Sequence, residues 1–302
     1  MCMLLQALLI IATFVAVALV SGNNLSACVG SAIGSKTLSQ RTGILLGAAG
    51  FLLGLLIQGS SMITSVHMLL PNLTAQLQLE VLLAAILVFV VADIIRAPIS
   101  FSMSLVGLLA GLSFARKTLI AGPFVAEVVI LWFVAPLVAI ALSFHLIRAI
   151  NKRPAHDVWS RVQIYKFVLI VLTFSTSYVL GANTIGMIVA TGGFNLFTIL
   201  TAVAAILVGS FYLSRGEIKR VSQELFLMRY PNATVALFSS TFLVEMATIF
   251  KIPLPTTQTM SAALFGTAIS YRTKFISLKP FAIIVAGWII APLLSFAVGL
   301  II

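Results

Sequence analysis

Residues 4–24 read LLQALLIIATFVAVALVSGNN, an apolar run that ends in one glycine and two asparagines. Residues 168–184 read VLIVLTFSTSYVLGANT, a second apolar run that ends in a similar motif. About 20 apolar residues without a charge are enough to cross a bilayer as a helix. Glycine and asparagine at the end of such a run are typical of a break in the helix. The two stretches therefore predict two membrane helices, each broken by a polar motif.

The composition of the whole chain is that of a membrane protein. Of its 302 residues, 61% are hydrophobic and only 8% are charged, whereas roughly 25% are charged in an ordinary soluble domain. So few charges cannot cover the surface of a soluble protein of this size, which excludes a soluble enzyme, a cytosolic binding module and a receptor with a folded ectodomain. We predict an all-α polytopic membrane protein with about ten membrane segments. The net charge of +11 is assigned to basic loops, so no nucleic-acid partner is expected.

The apolar runs divide the chain into two halves with one plan, residues 1–150 and residues 151–302. Each half has a first span broken at the Gly/Asn motif, a full span, an apolar pair interrupted by proline, and a final span. The interruptions read RAPISFS at residues 96–102 and KIPLPTT at residues 251–257. Internal repetition of this kind predicts two related structural units within one integral membrane domain. In the first half, a polar loop is predicted over residues 58–78.

The positions of the basic residues predict that the two repeats are inverted. The chain has 18 Lys and Arg residues; with the central loop on the cytoplasmic side, Arg116, Lys117 and Lys251 fall outside and the other 15 fall inside. Such an excess of cytoplasmic Lys and Arg is the usual orientation signal of a membrane protein. It places both termini outside and requires each half to cross the bilayer an odd number of times. Each proline-interrupted pair is either two crossings or a re-entrant hairpin, and the orientation is the same for both.

Interrupted helices inside a membrane indicate a binding site. Backbone that is not helical is tolerated at membrane depth only where it is buried in protein or lines a wet cavity. Inverted repeats with interrupted helices are typical of transporters that bind their substrate near the bilayer midplane, and free N–H groups at helix starts favour an anion. Small residues are also common where membrane helices pack closely, which we expect of Gly47, Gly50 and Gly54. For the paired motifs we favour the site. The candidate substrate ligands are Asn23, Asn24, Ser100, Ser102, Asn183, Thr184, Thr256 and Thr257.

Four ionisable residues lie in or beside the apolar runs, where a charge is costly. Glu245 lies inside the run 238–250, and Glu127 lies near the start of the final span of the first half. Each is either a proton carrier or half of an ion pair. Arg96 and Lys251 are either interfacial anchors or attract an anion to the site. No set of residues has metal-ligand spacing and no nucleophile lies beside a base, so the sequence predicts neither a metal site nor an enzyme.

The motifs resemble those of the PiT family of inorganic phosphate transporters. That family carries G-A-N-D-V-A-N-A near the start of each inverted repeat and P-V-S-T-T-H later in each. This sequence has SGNNLSAC at residues 21–28, GANTIGMI at residues 181–188, PISFSM at residues 98–103 and PLPTTQ at residues 253–258. The resemblance covers nearly the whole chain. It implies alternating-access transport of phosphate, with the polar motif residues binding the anion and the acidic ones serving cation coupling.

Several residues of the family pattern are replaced in this sequence. The aspartate of the first motif is Asn24 in one half and Thr184 in the other, and the histidine of the proline motif is Met103 or Gln258. A carboxylate gives a hard cation a full negative charge, whereas Asn and Thr give only a dipole. We therefore expect weak sodium dependence, or proton coupling through Glu245.

The sequence predicts a multi-pass protein of the plasma membrane that moves inorganic phosphate, coupled to sodium or protons and without another cofactor. A sulfate permease of the same family stays open, because hydroxyls and amides bind two tetrahedral oxyanions alike. An uncoupled anion channel and a membrane scaffold without transport activity also stay open. The lipid bilayer is an expected partner, and a homo-oligomer is compatible with the sequence.

Overall fold

The chain is an all-α multi-pass membrane protein, as its composition predicts. The regular elements within the described residues are all helical, and seven of the helices there are long and apolar enough to cross a membrane. The computed structural model describes residues 2–94, 100–117, 121–152, 158–214, 230–271 and 278–302.

The first half contains six helices in its described part. Helix α1 covers Cys2–Gly34, and α2 covers Gln40–Gln58. A 3-10 turn over Gly59–Ser61 joins α2 directly to α3. The remaining helices of this half are α3 (Met62–Leu69), α4 (Ala75–Ile94), α5 (Phe101–Ala115) and α6 (Ala121–Lys152).

The second half repeats this order with different joints. Helix α7 covers Val158–Leu180, and a π-helical turn over Gly181–Ile185 joins it to α8. Helix α9 covers Leu196–Val208 and continues into a second π-helical turn over Gly209–Leu213. The remaining helices are α8 (Gly186–Thr191), α10 (Tyr230–Ile249), α11 (Thr256–Ile269) and α12 (Leu278–Gly299).

The main core lies between the first helices of the two halves and α5. Its largest fully buried side chains include Leu25 of α1, Phe51 of α2 and Phe101 of α5. These residues pack with Leu180 and Ile185 at the joint between α7 and α8. The motif regions of both halves therefore share one buried interior.

The break predicted in the first span is wrong, because α1 runs without interruption through Ser21, Gly22, Asn23 and Asn24. A glycine inside a helix costs about 1 kcal/mol and an asparagine less, whereas each backbone group left unpaired in lipid costs several kcal/mol. The continuous helix therefore has the lower free energy. Gly22 lets α1 pack closely on the second half, since an added Cβ atom would lie 2.5 Å from the Cβ atom of Leu213.

In the second half the corresponding motif widens the helix without ending it. Gly181–Ile185 form a single π-helical turn between α7 and α8, a feature that is frequent at functional sites. The turn lies against α2, where an added Cβ atom on Gly181 would be 2.3 Å from the carbonyl oxygen of Phe51. The predicted break is thus a local change of helix type, and its polar side chains stay inside the packed helices.

Gly47, Gly50 and Gly54 let α2 pack closely against its neighbours, as predicted. An added Cβ atom on Gly54 would lie 1.9 Å from the carbonyl oxygen of Tyr178, and one on Gly50 would lie 2.9 Å from that of Phe174. The crossing of α2 over α7 therefore depends on residues without a side chain.

The polar loop predicted over residues 58–78 is mostly helix, so that prediction is wrong. Helix α2 continues through the 3-10 turn into α3, and only residues 70–74 separate α3 from α4. Met62, Val66 and Leu69 are buried at helical spacing within this segment. The segment thus has an apolar face, which the number of its polar residues conceals.

The proline interruption is confirmed in the second half. Helix α10 and helix α11 are separated by a loop that holds Pro253 and Pro255, and no helix passes through them. In the first half, α4 and α5 are separated by residues 95–99. These residues, with the candidate Arg96, lie outside the described part of the chain.

The last helix of each half packs along the second helix of the proline-interrupted pair of the other half. Helix α12 lies along α5, and α6 lies along α11. An added Cβ atom on Gly111 of α5 would lie 2.2 Å from the carbonyl oxygen of Phe296, and one on Gly266 of α11 would lie 2.4 Å from that of Ile140. Ile140 lies four residues after Pro136 of α6, and Phe296 lies four residues after Pro292 of α12. The reciprocal packing supports the division into two related repeats.

Candidate functional site

The loop between α10 and α11, residues 251–255, is held by side chains from three other segments; we call it the Pro loop. Ser65 donates a hydrogen bond to the carbonyl oxygen of Lys251. The side-chain nitrogen of Asn183, Nδ2, donates to the carbonyl oxygen of Ile252 over 3.2 Å. The indole nitrogen of Trp132 donates to the carbonyl oxygen of Pro253 over 2.9 Å. Three consecutive carbonyls thus have partners, which non-helical backbone at membrane depth requires. Both halves of the chain fix the position of this loop.

Asn183 is the central residue of this arrangement. Its side chain is fully buried, and its Nδ2 atom donates a second hydrogen bond to Oγ1 of Thr248 over 2.9 Å. Its Oδ1 atom accepts from the backbone N–H of Leu254 over 3.2 Å. Both amide hydrogens are therefore used within the protein. We predict Asn183 as a substrate ligand from the sequence, but here it positions the Pro loop and has no donor left for an anion.

Thr256 and Thr257 begin α11 directly after the Pro loop. Thr256 is 3% exposed, and its Oγ1 atom is buried without a hydrogen-bond partner among the described residues. Thr257 is partly buried. The first N–H groups of a helix have no partner within the helix, and with a free hydroxyl they form a suitable environment for an anion. The role of these two residues as substrate ligands stays a prediction.

Ser100 and Ser102 occupy the corresponding start of α5. Ser100 precedes the helix in an extended conformation, and its Oγ atom lies 3.0 Å from Oγ of Ser102. Ser102 is 1% exposed. The structure therefore brings these two predicted ligands into direct contact with each other, at a helix start that faces the interior.

Asn23 and Asn24 lie inside α1 and are partly buried. Their side-chain amides make no hydrogen bond to another described residue, although the backbone carbonyl of Asn23 accepts from Ser26 over 2.8 Å. Thr184 lies in the π-helical turn and is 3% exposed. The two amides of α1 thus have side-chain N–H groups without a hydrogen-bond partner among the described residues.

Glu245 lies in the C-terminal part of α10, with one carboxyl oxygen bonded and the other unpaired. Its Oε1 atom accepts from Nε2 of Gln58 over 3.1 Å. Its Oε2 atom is buried and has no partner in the described part of the chain. A carboxylate without a cation is costly at membrane depth. One oxygen of this carboxyl group is thus left without a partner in the described part of the chain.

Lys251 follows α10 by two residues and is exposed. Its φ angle of 61° is left-handed, a conformation that lets the N–H groups of Lys251 and Ile252 bond back to Thr248 and Ala247 over 3.0 and 2.8 Å. Such a cap is usually glycine. The ammonium group thus stands at the edge of the Pro loop, where it can attract an anion.

Sequence reasoning missed Gln58, Ser65 and Trp132 and gave Gln258 no role beyond its motif position. Gln258 donates from Nε2 to the carbonyl oxygen of Trp132 over 2.9 Å. Pro136 lies inside α6, four residues after Trp132, and cannot supply the helical N–H for that carbonyl. The sequence signal for this contact is a repeat, since residues 132–137 read WFVAPL and residues 288–293 read WIIAPL.

Within the described residues, no three His, Cys, Asp or Glu side chains are placed to hold a metal ion together. Among the candidate site residues, Glu245 is the one with a carboxyl group.

Comparisons with known proteins agree with this architecture. A family model described as "Phosphate transporter family" matches residues 20–174 and, a second time, residues 150–299. A proposed phosphate permease of Methanocaldococcus jannaschii is 23% identical over 299 residues, which cover 97% of this chain and 95% of that protein. A sulfate permease of Bacillus subtilis is 24% identical over 293 residues, which cover 93% of this chain and 82% of that protein.

A solved structure described as "The sodium-dependent phosphate transporter" is also similar. It superposes with a TM-score of 0.84 over 98% of both chains, at 15% sequence identity. At this identity the likeness concerns the fold. The order and packing of the helices are therefore those of a known transporter architecture.

Proposed function

Because this chain belongs to the phosphate transporter family, we propose that it carries inorganic phosphate across the plasma membrane by alternating access. The anion binds between α1, the π-helical turn and the starts of α5 and α11. Rocking of one group of helices against the other then exposes it to each side in turn. The protein is a carrier and not an enzyme.

The observation that carries this proposal is a set of polar groups without partners inside an apolar protein. The hydroxyl of Thr256 is buried and unpaired among the described residues, and the amides of Asn23 and Asn24 make no hydrogen bond there. Buried polar groups are normally paired, so a ligand is the simplest partner for the Thr256 hydroxyl, and the partly buried amides of Asn23 and Asn24 offer further donors. Uncharged donors can replace the water around an oxyanion without placing a fixed cation in lipid. Ser100, Ser102, Thr184 and Thr257 complete the proposed substrate ligands.

Asn183 acts in this proposal as a positioning residue. It holds the Pro loop through Ile252 and Leu254, and the loop sets the direction of the first N–H groups of α11. Lys251 adds a positive charge at the edge of the loop, which raises the local concentration of an anion. Arg96 is the proposed counterpart in the first half.

Proton coupling through Glu245 is the proposed energy source. The unpaired Oε2 atom is a place where a proton binds with little rearrangement. Asn24 and Thr184 offer sodium only dipoles, so sodium is the weaker candidate. The similar solved structure is described as sodium-dependent, which makes sodium the second coupling ion that the experiment must include.

Sulfate is the second candidate substrate. The Bacillus subtilis relative, which aligns with 93% of this chain, is named as a sulfate permease. Hydroxyl and amide groups accept both tetrahedral oxyanions. We favour phosphate because the family model and the archaeal relative carry that name.

The orientation follows from the same proposal. Two inverted repeats, residues 1–150 and residues 151–302, place both termini outside and the central loop inside the cell. The chain works in the bilayer as a single carrier unit, and a homo-oligomer would place several such units side by side.

Uptake by purified protein in proteoliposomes tests the substrate, the coupling ion and the mechanism. Radiolabelled phosphate is offered with a proton gradient alone, a sodium gradient alone, and neither. We expect saturable uptake that follows the proton gradient and is little changed by sodium. A strict sodium requirement contradicts the proton proposal, stronger competition by sulfate than by unlabelled phosphate reverses the substrate, and flux far above carrier turnover indicates a channel.

A double variant, Thr256→Val and Thr257→Val, tests the binding site itself. A hydrogen bond to a charged group contributes about 1.5–3 kcal/mol, so loss of one such bond reduces uptake roughly tenfold or more at limiting phosphate. Thr201→Val is the matched control, because the hydroxyl of Thr201 is exposed and bonds only the carbonyl of Phe197 in its own helix. Equal uptake by the double variant and the control would remove α11 from the site.

A further inference from the structure

An apolar cavity of about 390 Å³ lies between α5, α6, α11 and α12, beside the Pro loop. Its walls are almost entirely apolar. Val106 of α5, Val129 of α6 and Trp288 of α12 are typical of the lining, together with Trp132 of α6. The proposed phosphate carrier has no use for such a cavity, because an anion would find no donors in it.

Gln258 of α11 is the exception in this lining. It is 2% exposed, and its Nε2 atom is used by the carbonyl of Trp132, which Pro136 leaves without a helical partner. Its Oε1 atom is buried and has no hydrogen-bond partner among the described residues. One end of the amide thus serves the protein, while the other end is a buried, unused acceptor on a side chain that lines an apolar cavity. A buried acceptor of this kind is normally paired, and the missing partner is a donor.

The cavity opens on the lipid-facing surface. Phe133, Leu137 and Leu293 line it and are 60%, 66% and 63% exposed. Trp132 lies roughly 16 Å along α6 from its first residue, which is about half of the ~30 Å hydrocarbon thickness. A ligand that enters there comes from the bilayer, and a charged group at that depth is costly. The donor that meets Gln258 is therefore uncharged.

We propose that this cavity binds a single-chain lipid with an uncharged O–H end, a fatty acid in its protonated form. The O–H group donates to Oε1 of Gln258, and the alkyl chain lies along the apolar walls. A volume of about 390 Å³ holds roughly a dozen groups of the size of a water molecule, which suits a medium-length chain. Trp132 also bonds the Pro loop through Pro253, so the bound lipid contacts a residue that positions the transport site.

Tryptophan fluorescence gives a direct test that does not depend on transport. The chain has three tryptophans, and two of them, Trp132 and Trp288, line the cavity. The Trp159→Phe variant therefore leaves only cavity tryptophans. This protein, in phosphatidylcholine nanodiscs, is titrated with 12-bromododecanoic acid and with its methyl ester, which has the same chain but no donor. Bromine quenches tryptophan on contact.

We expect saturable quenching by the acid at a concentration at least tenfold lower than by the ester. Filling the mouth with Val129→Phe should abolish the saturable quenching, whereas Val134→Phe should not. Val134 is the matched control, because it lies on the same helix, is similarly exposed and does not line the cavity. Gln258→Met, which places at this position the residue found at Met103, should remove the preference for the acid.

Three results would overturn the proposal. Equal quenching by acid and ester in the Trp159→Phe protein would show ordinary lipid contact. Unchanged quenching in the Val129→Phe variant would place the ligand elsewhere, and a change of oligomeric state in that variant without saturable quenching would assign the cavity to a contact between copies of the chain. If Gln258→Met does not fold, the comparison of acid with ester still decides. Failure of phosphate uptake leaves this test unaffected.

Discussion

Replacing Asn183 by Ala should destabilise the protein far more than the same change at Asn23, its counterpart in the first motif. Asn183→Ala removes three hydrogen bonds and leaves the carbonyl of Ile252 and the N–H of Leu254 buried without partners. Each unsatisfied buried group costs about 1–3 kcal/mol, so we expect a loss of about 2–6 kcal/mol. The amide of Asn23 makes no hydrogen bond to a described residue, so its loss should cost less than about 1 kcal/mol.

The melting temperature of purified protein, followed by size-exclusion chromatography after heating, measures this difference. A change of 1 kcal/mol corresponds to roughly 2–4 °C in a chain of about this size, so Asn183→Ala should melt roughly 5–20 °C below the native chain. One heating protocol must serve all variants, because membrane proteins often unfold irreversibly. Thr248→Val is the intermediate case, since it removes one partner of Asn183 and leaves the Pro loop bonded.

The expected order of melting temperatures is therefore Asn23→Ala highest, then Thr248→Val, then Asn183→Ala. Uptake gives an independent reading of the same variants. Asn23→Ala should keep its melting temperature and lose uptake, because a free donor serves the substrate and not the fold. An Asn183→Ala protein that melts within 2 °C of the native chain, on a scale of roughly 2–4 °C per kcal/mol, would refute the reasoning from hydrogen-bond partners.

The remaining predictions concern four other positions. Lys251→Gly should raise the melting temperature by about 2–8 °C, because a left-handed conformation costs a residue with a Cβ atom about 1–2 kcal/mol, and a lower melting temperature would contradict the strained cap. Glu245→Gln, which fixes an uncharged side chain, should make phosphate uptake in proteoliposomes independent of the proton gradient, and an intact response would remove Glu245 from coupling. Gly54→Ala should cost about 3 kcal/mol, since the added Cβ atom would lie 1.9 Å from the carbonyl oxygen of Tyr178. Gly122→Ala, with nothing within 4 Å, is its control and should melt at or slightly above the native temperature.

The fold was predictable from the sequence where apolar length and proline decide it. The loop at Pro253 and Pro255 is an example, because proline has no N–H to donate and restricts the residue before it. The motif at Gly22 was not predictable by the same rules. Those rules come from soluble proteins, in which water pairs with a broken backbone, whereas lipid does not. Helix α1 thus stays continuous because the surrounding lipid cannot pair with a broken backbone. A local sequence pattern contains no information about this solvent.

The candidate site was predictable in its residue types and not in its pairings. The hydroxyls beside the prolines lie at helix starts, at Ser100 before α5 and at Thr256 in α11, and their role as ligands stays a prediction. The partners of Asn183, in contrast, lie 65 to 71 residues away along the chain. Gln58 and Glu245 are 187 residues apart. Such contacts follow from the packing of whole helices, so a single sequence without the fold cannot supply them.

The side-chain amides show how a membrane interior divides structural work from ligand binding. Any N–H group there must find a partner, because lipid offers none. Asn183 finds all of its partners in the Pro loop and in Thr248, so it is a structural residue in this conformation. Gln258 finds one partner and leaves its acceptor to an apolar cavity. Asn23 and Asn24 find none among the described residues. The two copies of one sequence motif therefore differ in their hydrogen bonding, which is why we propose a positioning role for the second and substrate binding for the first.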